Sequence, residues 1–77
     1  MVGDKAYQER VKRLLKAELK KQGLTYKDLA ERLTAAGTRE DEANIANKIS
    51  RGGFTAVFFV QCLVAIGAHT VRLHDPE

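Results

Sequence analysis

A stripe of hydrogen-bonding side chains runs along the segment EANIANKISRGG, residues 42–53. The side chains that recur on one face at helical spacing are Asn44, Asn47, Lys48 and Arg51. Ile45 and Ile49 fall on the opposite face, so the segment predicts a helix with an apolar back. An amide pairs bidentately with adenine, and an ammonium or guanidinium group pairs with guanine, which suits this face to the DNA major groove. The alternative is an ordinary solvated face, since the polar side of an amphipathic helix usually contacts only water.

The composition predicts one small folded domain. The chain has 77 residues, of which 44% are hydrophobic and 30% are charged, with no low-complexity tract. A domain of this size buries only roughly 60% of the surface of its unfolded chain, so a partner would add stability. We expect a single domain over residues 1–77, with its core in 5–67 and a C-terminal strand or arm in 68–77.

Charge and cysteine content limit the setting of the protein. The net charge of +3 is compatible with a nucleic-acid partner but too modest to identify one. The single cysteine, Cys62, lies in an apolar run, which predicts a buried, inert thiol in a reducing compartment. No stretch approaches the ~20 apolar residues of a membrane span, and charges occupy the N-terminal segment where a signal peptide has its apolar core. The sequence therefore predicts a cytoplasmic protein.

The first element that must position the stripe is a basic helix over residues 5–22, ended by Gly23. Its apolar positions are Tyr7, Val11, Leu14, Leu15 and Leu19. Its outer faces carry Arg10, Lys12, Arg13, Lys16, Lys20 and Lys21 against only Glu9 and Glu18. Both a phosphate-facing surface and a merely solvated helix fit this distribution.

A second helix is predicted to begin at Tyr26 and to end near Gly37. Thr25 and Asp28 have the spacing of a capping box, and a turn of about three residues joins the first two helices. The predicted inward positions are Leu29, Ala30 and Leu33. Thr38 is the expected cap of the third helix, which ends at Gly52 and has acidic residues in its first turn, namely Glu40, Asp41 and Glu42.

A fourth helix, capped by Thr55, is predicted over the almost wholly apolar residues 56–66. A helix that is apolar all round has to be covered on more than one side, which indicates a homodimer interface or, alternatively, a central helix of a monomer. The segment 69–74 alternates as one short strand, which could pair with its symmetry mate or lie across the domain as an arm. The residues assigned to a dimer interface are Val57, Phe58, Val60, Val64, Val71 and Leu73.

The order of these elements, with LTYKDLAERL as the second helix and NIANKISRG in the third, resembles the helix-turn-helix domain of lambda-repressor-like (XRE-type) DNA-binding proteins over residues 14–67. The resemblance implies an all-α bundle of four to five helices with a short C-terminal extended segment. It also implies that the third helix enters the groove. Base-reading residues would be Asn44, Asn47 and Lys48. Phosphate contacts would come from Thr25, Tyr26, Lys27, Arg51, Lys12, Lys16 and Lys20.

Two features depart from that pattern. The connection TAAGTREDEA is longer than the usual turn of a few residues, and the acids of residues 40–42 lie near the leading end of the recognition helix. The whole chain is also similar to a family of short bacterial proteins of unknown function. The stretches that carry this second similarity are K-x-L-L-K-A-E-L, N-K-I-S-R-G and F-F-x-Q-C-L.

No arrangement for catalysis or for metal binding emerges. His69 and His74 have no cysteine or carboxylate pair at ligand spacing, and Ser50 has no base near it in sequence. We therefore expect a protein that is not an enzyme and has no cofactor or metal. The favoured function is duplex-DNA binding by a homodimer, as a transcriptional regulator or a nucleoid-type protein. The alternative is a protein-interaction module of the same fold that does not bind DNA.

Overall fold

The computed structural model describes residues 2–73, which form four α-helices and the segments that connect and follow them. The helices are α1 (Val2–Gln22), α2 (Tyr26–Ala35), α3 (Glu42–Arg51) and α4 (Ala56–Ala65). No strand occurs within this range, so the predicted all-α class is confirmed. None of the four helices is long and apolar enough to cross a membrane.

A single apolar core lies between the helices. α2 packs against both α3 and α4, and α1 packs against α4. Full burial of each large aliphatic side chain contributes roughly 1.5 to 3 kcal/mol relative to exposure. The buried residues are Leu15, Leu19, Leu29, Ala30, Leu33, Ile45, Ile49, Phe58, Cys62, Leu63 and Ile66. The predicted inward faces of α2 and α3 are therefore confirmed.

α1 starts three residues earlier than the predicted residue 5 and ends, as predicted, at Gln22. Its 21 residues make it about twice as long as the 10-residue α4. Residues 3–9 of α1 are exposed and do not belong to the core. Tyr7, grouped with the apolar positions in the sequence, lies outside the core at 64% exposure, with the Arg10 guanidinium carbon 5.4 Å from its ring centroid.

The capping box at the start of α2 is confirmed. The Asp28 amide donates to Thr25 Oγ1 at 3.1 Å, and the Thr25 amide donates to Asp28 Oδ2 at 2.9 Å. Two otherwise unpaired amides are satisfied in this way, which fixes the first residue of α2 at Tyr26. The predicted three-residue turn between α1 and α2 is likewise present, over residues 23–25.

The predicted cap of α3 is wrong. Asp41, rather than Thr38, is the N-cap, and its Oδ1 accepts from the Asn44 amide at 2.8 Å. The Thr38 amide instead donates to the Leu33 carbonyl at 2.8 Å and closes the end of α2. Because Thr38 belongs to that earlier closure, Glu40 and Asp41 precede α3 instead of lying in its first turn.

α4 begins at the predicted residue and ends one residue earlier than predicted. Thr55 Oγ1 accepts from the Phe58 amide at 3.0 Å, which confirms the predicted cap. The predicted burial of Cys62 is also confirmed, and desolvation by the core raises the pKa of its thiol to about 12. At neutral pH the thiol is therefore protonated and unreactive.

The predicted C-terminal strand does not form in the single chain. Residues 68–73 have no ladder partner, because a helical bundle offers no sheet edge to pair with. These residues instead lie against the helices in an extended arm. Val71 packs partly buried against the core, and Arg10 Nη1 donates to the Leu73 carbonyl at 3.4 Å. His74 lies outside the described residues.

Candidate nucleic-acid interface

The outer face of α3 carries exposed amide and guanidinium groups. Asn44, Asn47 and Arg51 are exposed, whereas Ile45 and Ile49 on the inner face are completely buried. The Asn44 side chain already makes one hydrogen bond, since its Nδ2 donates to Asp41 Oδ2 at 3.4 Å. The side chains of Asn47 and Arg51 make no hydrogen bond or ion pair with any other residue in 2–73. Their full hydrogen-bonding capacity faces solvent.

Lys48 lies on the same face but is not free. Its ammonium group forms an ion pair and hydrogen bond with Glu40 Oε2, and Nζ lies 4.7 Å from the centroid of the Phe58 ring. The Glu40 side chain is only 7% exposed, while that of Lys48 is 41% exposed. Lys48 therefore neutralises a nearly buried carboxylate, through a contact that helical spacing does not predict.

The connection between α2 and α3 is fixed from its other side by Thr34. Thr34 Oγ1 donates to the Glu40 carbonyl at 3.1 Å and accepts from the Glu40 amide at 3.4 Å. The connection comprises the six residues 36–41. At Glu40 it is held twice, because Thr34 binds the backbone and Lys48 binds the side chain. The only sequence signal for this arrangement is a threonine at the end of a helix, followed by a run of acids.

Some lysines of α1 form hydrogen bonds or ion pairs within residues 2–73, and others do not. Lys12 Nζ donates to the Ser50 carbonyl at 3.1 Å and lies 3.5 Å from Glu9, which ties α1 to the end of α3. Lys21 pairs with Glu18 at 3.5 Å. Lys16 and Lys20 are exposed and have neither kind of partner among the described residues. Of the three α1 lysines assigned to phosphate, these two are available.

The start of α2 has less capacity for phosphate than its residue types predict. The Thr25 amide and hydroxyl oxygen are both used in the capping box. Hydrogen bonds from the Thr25 backbone, and next from its side chain, lower the pKa of Asp28 and hold its carboxylate ionised. Tyr26 packs partly buried against the core, and Lys27 is exposed. A phosphate at this point would meet the negative charge of Asp28 as well as the positive charge of Lys27.

The outer face of α4 is apolar. Val57, Val60 and Val64 are 65%, 55% and 72% exposed and lie on one helical stripe. Leu73 is also exposed. Phe58, which was grouped with these residues, instead packs into the core, and its ring lies 5.5 Å from the Phe54 ring, centroid to centroid. Of the four α4 residues assigned to a dimer interface, three are therefore exposed and one is buried.

The described residues define a small all-α domain with four helices, a polar face on α3 and an apolar face on α4. Residues 7–71 match the family described as "Domain of unknown function (DUF6471)", and the chain belongs to this family. The predicted similarity to a family of unknown function is therefore confirmed. No curated protein and no solved structure matches the chain.

Proposed function

We propose that the protein binds duplex DNA through α3, in a lambda-repressor-like helix-turn-helix made of α2 and α3. The observation that carries the proposal is the exposed face of Asn47 and Arg51, whose hydrogen-bonding groups are unused within residues 2–73. A buried amide or guanidinium without a partner would be costly, but at an exposed helix face these groups are available to base edges and phosphates. Asn44 adds a second amide one turn earlier.

The charges favour entry by the middle and the C-terminal half of α3. Asp41 and Glu42 at the N-terminal end repel phosphates, whereas Arg51 at the other end attracts them. Lys16, Lys20 and Lys27 are the exposed lysines that supply further contacts to the backbone. Such contacts position the protein on DNA without reading its sequence.

The test is fluorescence-anisotropy binding to mixed-sequence duplex DNA across a salt series. For a dimer that contacts roughly six phosphates, log affinity falls against log salt with a slope near minus five. Absence of binding even at low salt would refute the proposal.

Two exposed residues provide a matched pair for this assay. Asn47→Ala is expected to weaken binding to a selected site by roughly 1 to 3 kcal/mol and to leave random duplex unaffected. Lys16→Ala is expected to weaken both alike and to reduce the steepness of the salt slope by about one per chain, or about two for the dimer. Equal effects of the two substitutions would contradict a base-reading role for α3.

The proposed DNA-binding form is a homodimer that contacts through α4. The stripe of Val57, Val60 and Val64 is exposed, and α4 contains no charged residue, whereas the whole chain has a net charge of +3. Two copies of a cationic chain repel each other least where neither carries charge. A twofold dimer would place the two copies of α3 on half-sites about one helical turn of DNA apart.

Val60→Glu tests this interface, with Ala17→Glu as the control that adds the same charge to the exposed face of α1. Light scattering is expected to give a dimer mass for the wild type and the control and a monomer mass for Val60→Glu. An unchanged mass for Val60→Glu would exclude α4 as the interface.

The second candidate function is a protein-interaction module without DNA binding. The same valine stripe favours it, because exposed apolar patches mark protein interfaces. A monomer that binds no DNA at any salt concentration, and that stays soluble only when Val57 and Val64 are replaced by polar residues, would support this function instead.

A further inference from the structure

The pairing of Lys48 with Glu40 removes one cation from the α3 face. Lys48 lies one turn from Asn44 and three residues from Arg51, in the middle of the proposed DNA-binding surface. Its ammonium group is nevertheless directed to Glu40 and lies over the Phe58 ring.

Glu40 cannot give up this partner without a penalty. Its side chain is 7% exposed, and an ionised carboxylate that is nearly buried needs a compensating charge. The Glu40 backbone is also held in place, because the Thr34 hydroxyl accepts from its amide and donates to its carbonyl. The ammonium of Lys48 is therefore retained when an anion approaches α3.

We propose that Glu40 withholds Lys48 from DNA and so sets the affinity and salt dependence of the α3 surface. This inference rests on the proposed function. Lys48 is then a positioning residue, which neutralises Glu40 and fixes the α2–α3 connection, while Asn47 and Arg51 make the contacts to DNA. Replacement of Glu40 by an uncharged isostere releases the ammonium toward the outer face of α3.

The experiment compares salt slopes of DNA binding for Glu40→Gln, Lys48→Gln and the double substitution. Release of Lys48 in Glu40→Gln adds about one phosphate contact per chain, or about two for the dimer, which steepens the slope by about 1.8 and raises affinity roughly sixtyfold at about 0.1 M salt. Lys48→Gln is expected to leave the slope unchanged, because this lysine makes no contact to DNA. The double substitution is expected to return to the wild-type slope.

Glu42→Gln is the matched control, since it removes the same charge from the exposed first turn of α3 without releasing a lysine. It is expected to raise affinity without steepening the slope. A slope for Glu40→Gln no steeper than that for Glu42→Gln would overturn the inference. So would a slope for Lys48→Gln shallower than wild type by about two.

A measurement without DNA separates failure of this inference from failure of the proposed function. Mass spectrometry after brief treatment with an amine-specific reagent reports the accessibility of each lysine ammonium. Lys48 is expected to react several-fold more slowly than Lys16 in the wild type and equally fast in Glu40→Gln. Equal rates in the wild type would overturn the withholding of Lys48, whatever the outcome with DNA. Slow Lys48 labelling in a protein that binds no DNA would refute the DNA-binding function alone.

Discussion

Substitution of Gly52 by alanine tests the contact between α1 and the end of α3. Gly52 caps α3 with φ of 72°, and a Cβ added there would lie 3.1 Å from the carbonyl oxygen of Gln8 in α1. Gly23, which follows α1, also has φ of 72°, but an added Cβ there would meet nothing within 4 Å. The two glycines share a backbone conformation and differ in their surroundings.

The comparison separates backbone strain from steric contact. Either Gly→Ala substitution places an L-residue in the left-handed region, at about 1 to 2 kcal/mol. At Gly52 the new methyl group also presses on backbone atoms of α1, and overpacking of this kind costs roughly 1 to 3 kcal/mol more. We therefore expect Gly23→Ala to lower the free energy of unfolding by about 1 to 2 kcal/mol and Gly52→Ala by roughly 2 to 5 kcal/mol.

Urea unfolding followed by far-ultraviolet circular dichroism measures both losses. In thermal unfolding each kcal/mol corresponds to roughly 4 to 8 °C in a domain of this size. Equal losses for the two substitutions would show that α1 does not press against Gly52. In that case the closeness of Gln8 to the end of α3 would be refuted.

Two further predictions concern ionisable groups. The pKa of Asp28 is lowered by its hydrogen bonds to Thr25, so its contribution to stability is present above the unfolded pKa, near 3.8, and is lost as pH falls through the folded pKa. The difference in Tm between wild type and Asp28→Asn should therefore shrink on acidification below about pH 4, and a constant difference would count against the capping box. The buried thiol of Cys62 should react with iodoacetamide at neutral pH far more slowly in the native protein than in urea, and comparable rates would contradict its burial.

The parts of the fold that local sequence rules determine were predictable. The start of α2 follows from two residues three apart, Thr25 and Asp28, and the inner face of α3 follows from the spacing of its isoleucines. The start of α3 was not predictable in this way, because Thr38 and Asp41 are both good capping residues. Two features of the folded chain decide between these two residues. The Thr38 amide closes the end of α2, and Glu40 is nearly buried, so α3 begins after Asp41.

In the candidate site, too, some features follow from local sequence and others depend on the folded chain. Helical periodicity predicted that Asn47 and Arg51 share one outer face, and both are exposed. The partner of Lys48 was not predictable, because Glu40 precedes it by eight residues across a helix start, and no periodic rule relates such positions. Exposure follows from the pattern of one helix, whereas pairing depends on how two segments meet.

Salt is expected to act in opposite directions on the two proposed interfaces. Dimerisation through the uncharged α4 brings together two chains of charge +3, so added salt screens their repulsion and favours the dimer. DNA binding through α3 and the exposed lysines releases counterions, so added salt weakens it. DNA also neutralises the charge that opposes dimerisation, and the protein should dimerise more tightly on DNA than alone at low salt. A dimer that weakens as salt rises would instead require charged pairs across its interface, which the valine stripe of α4 does not supply.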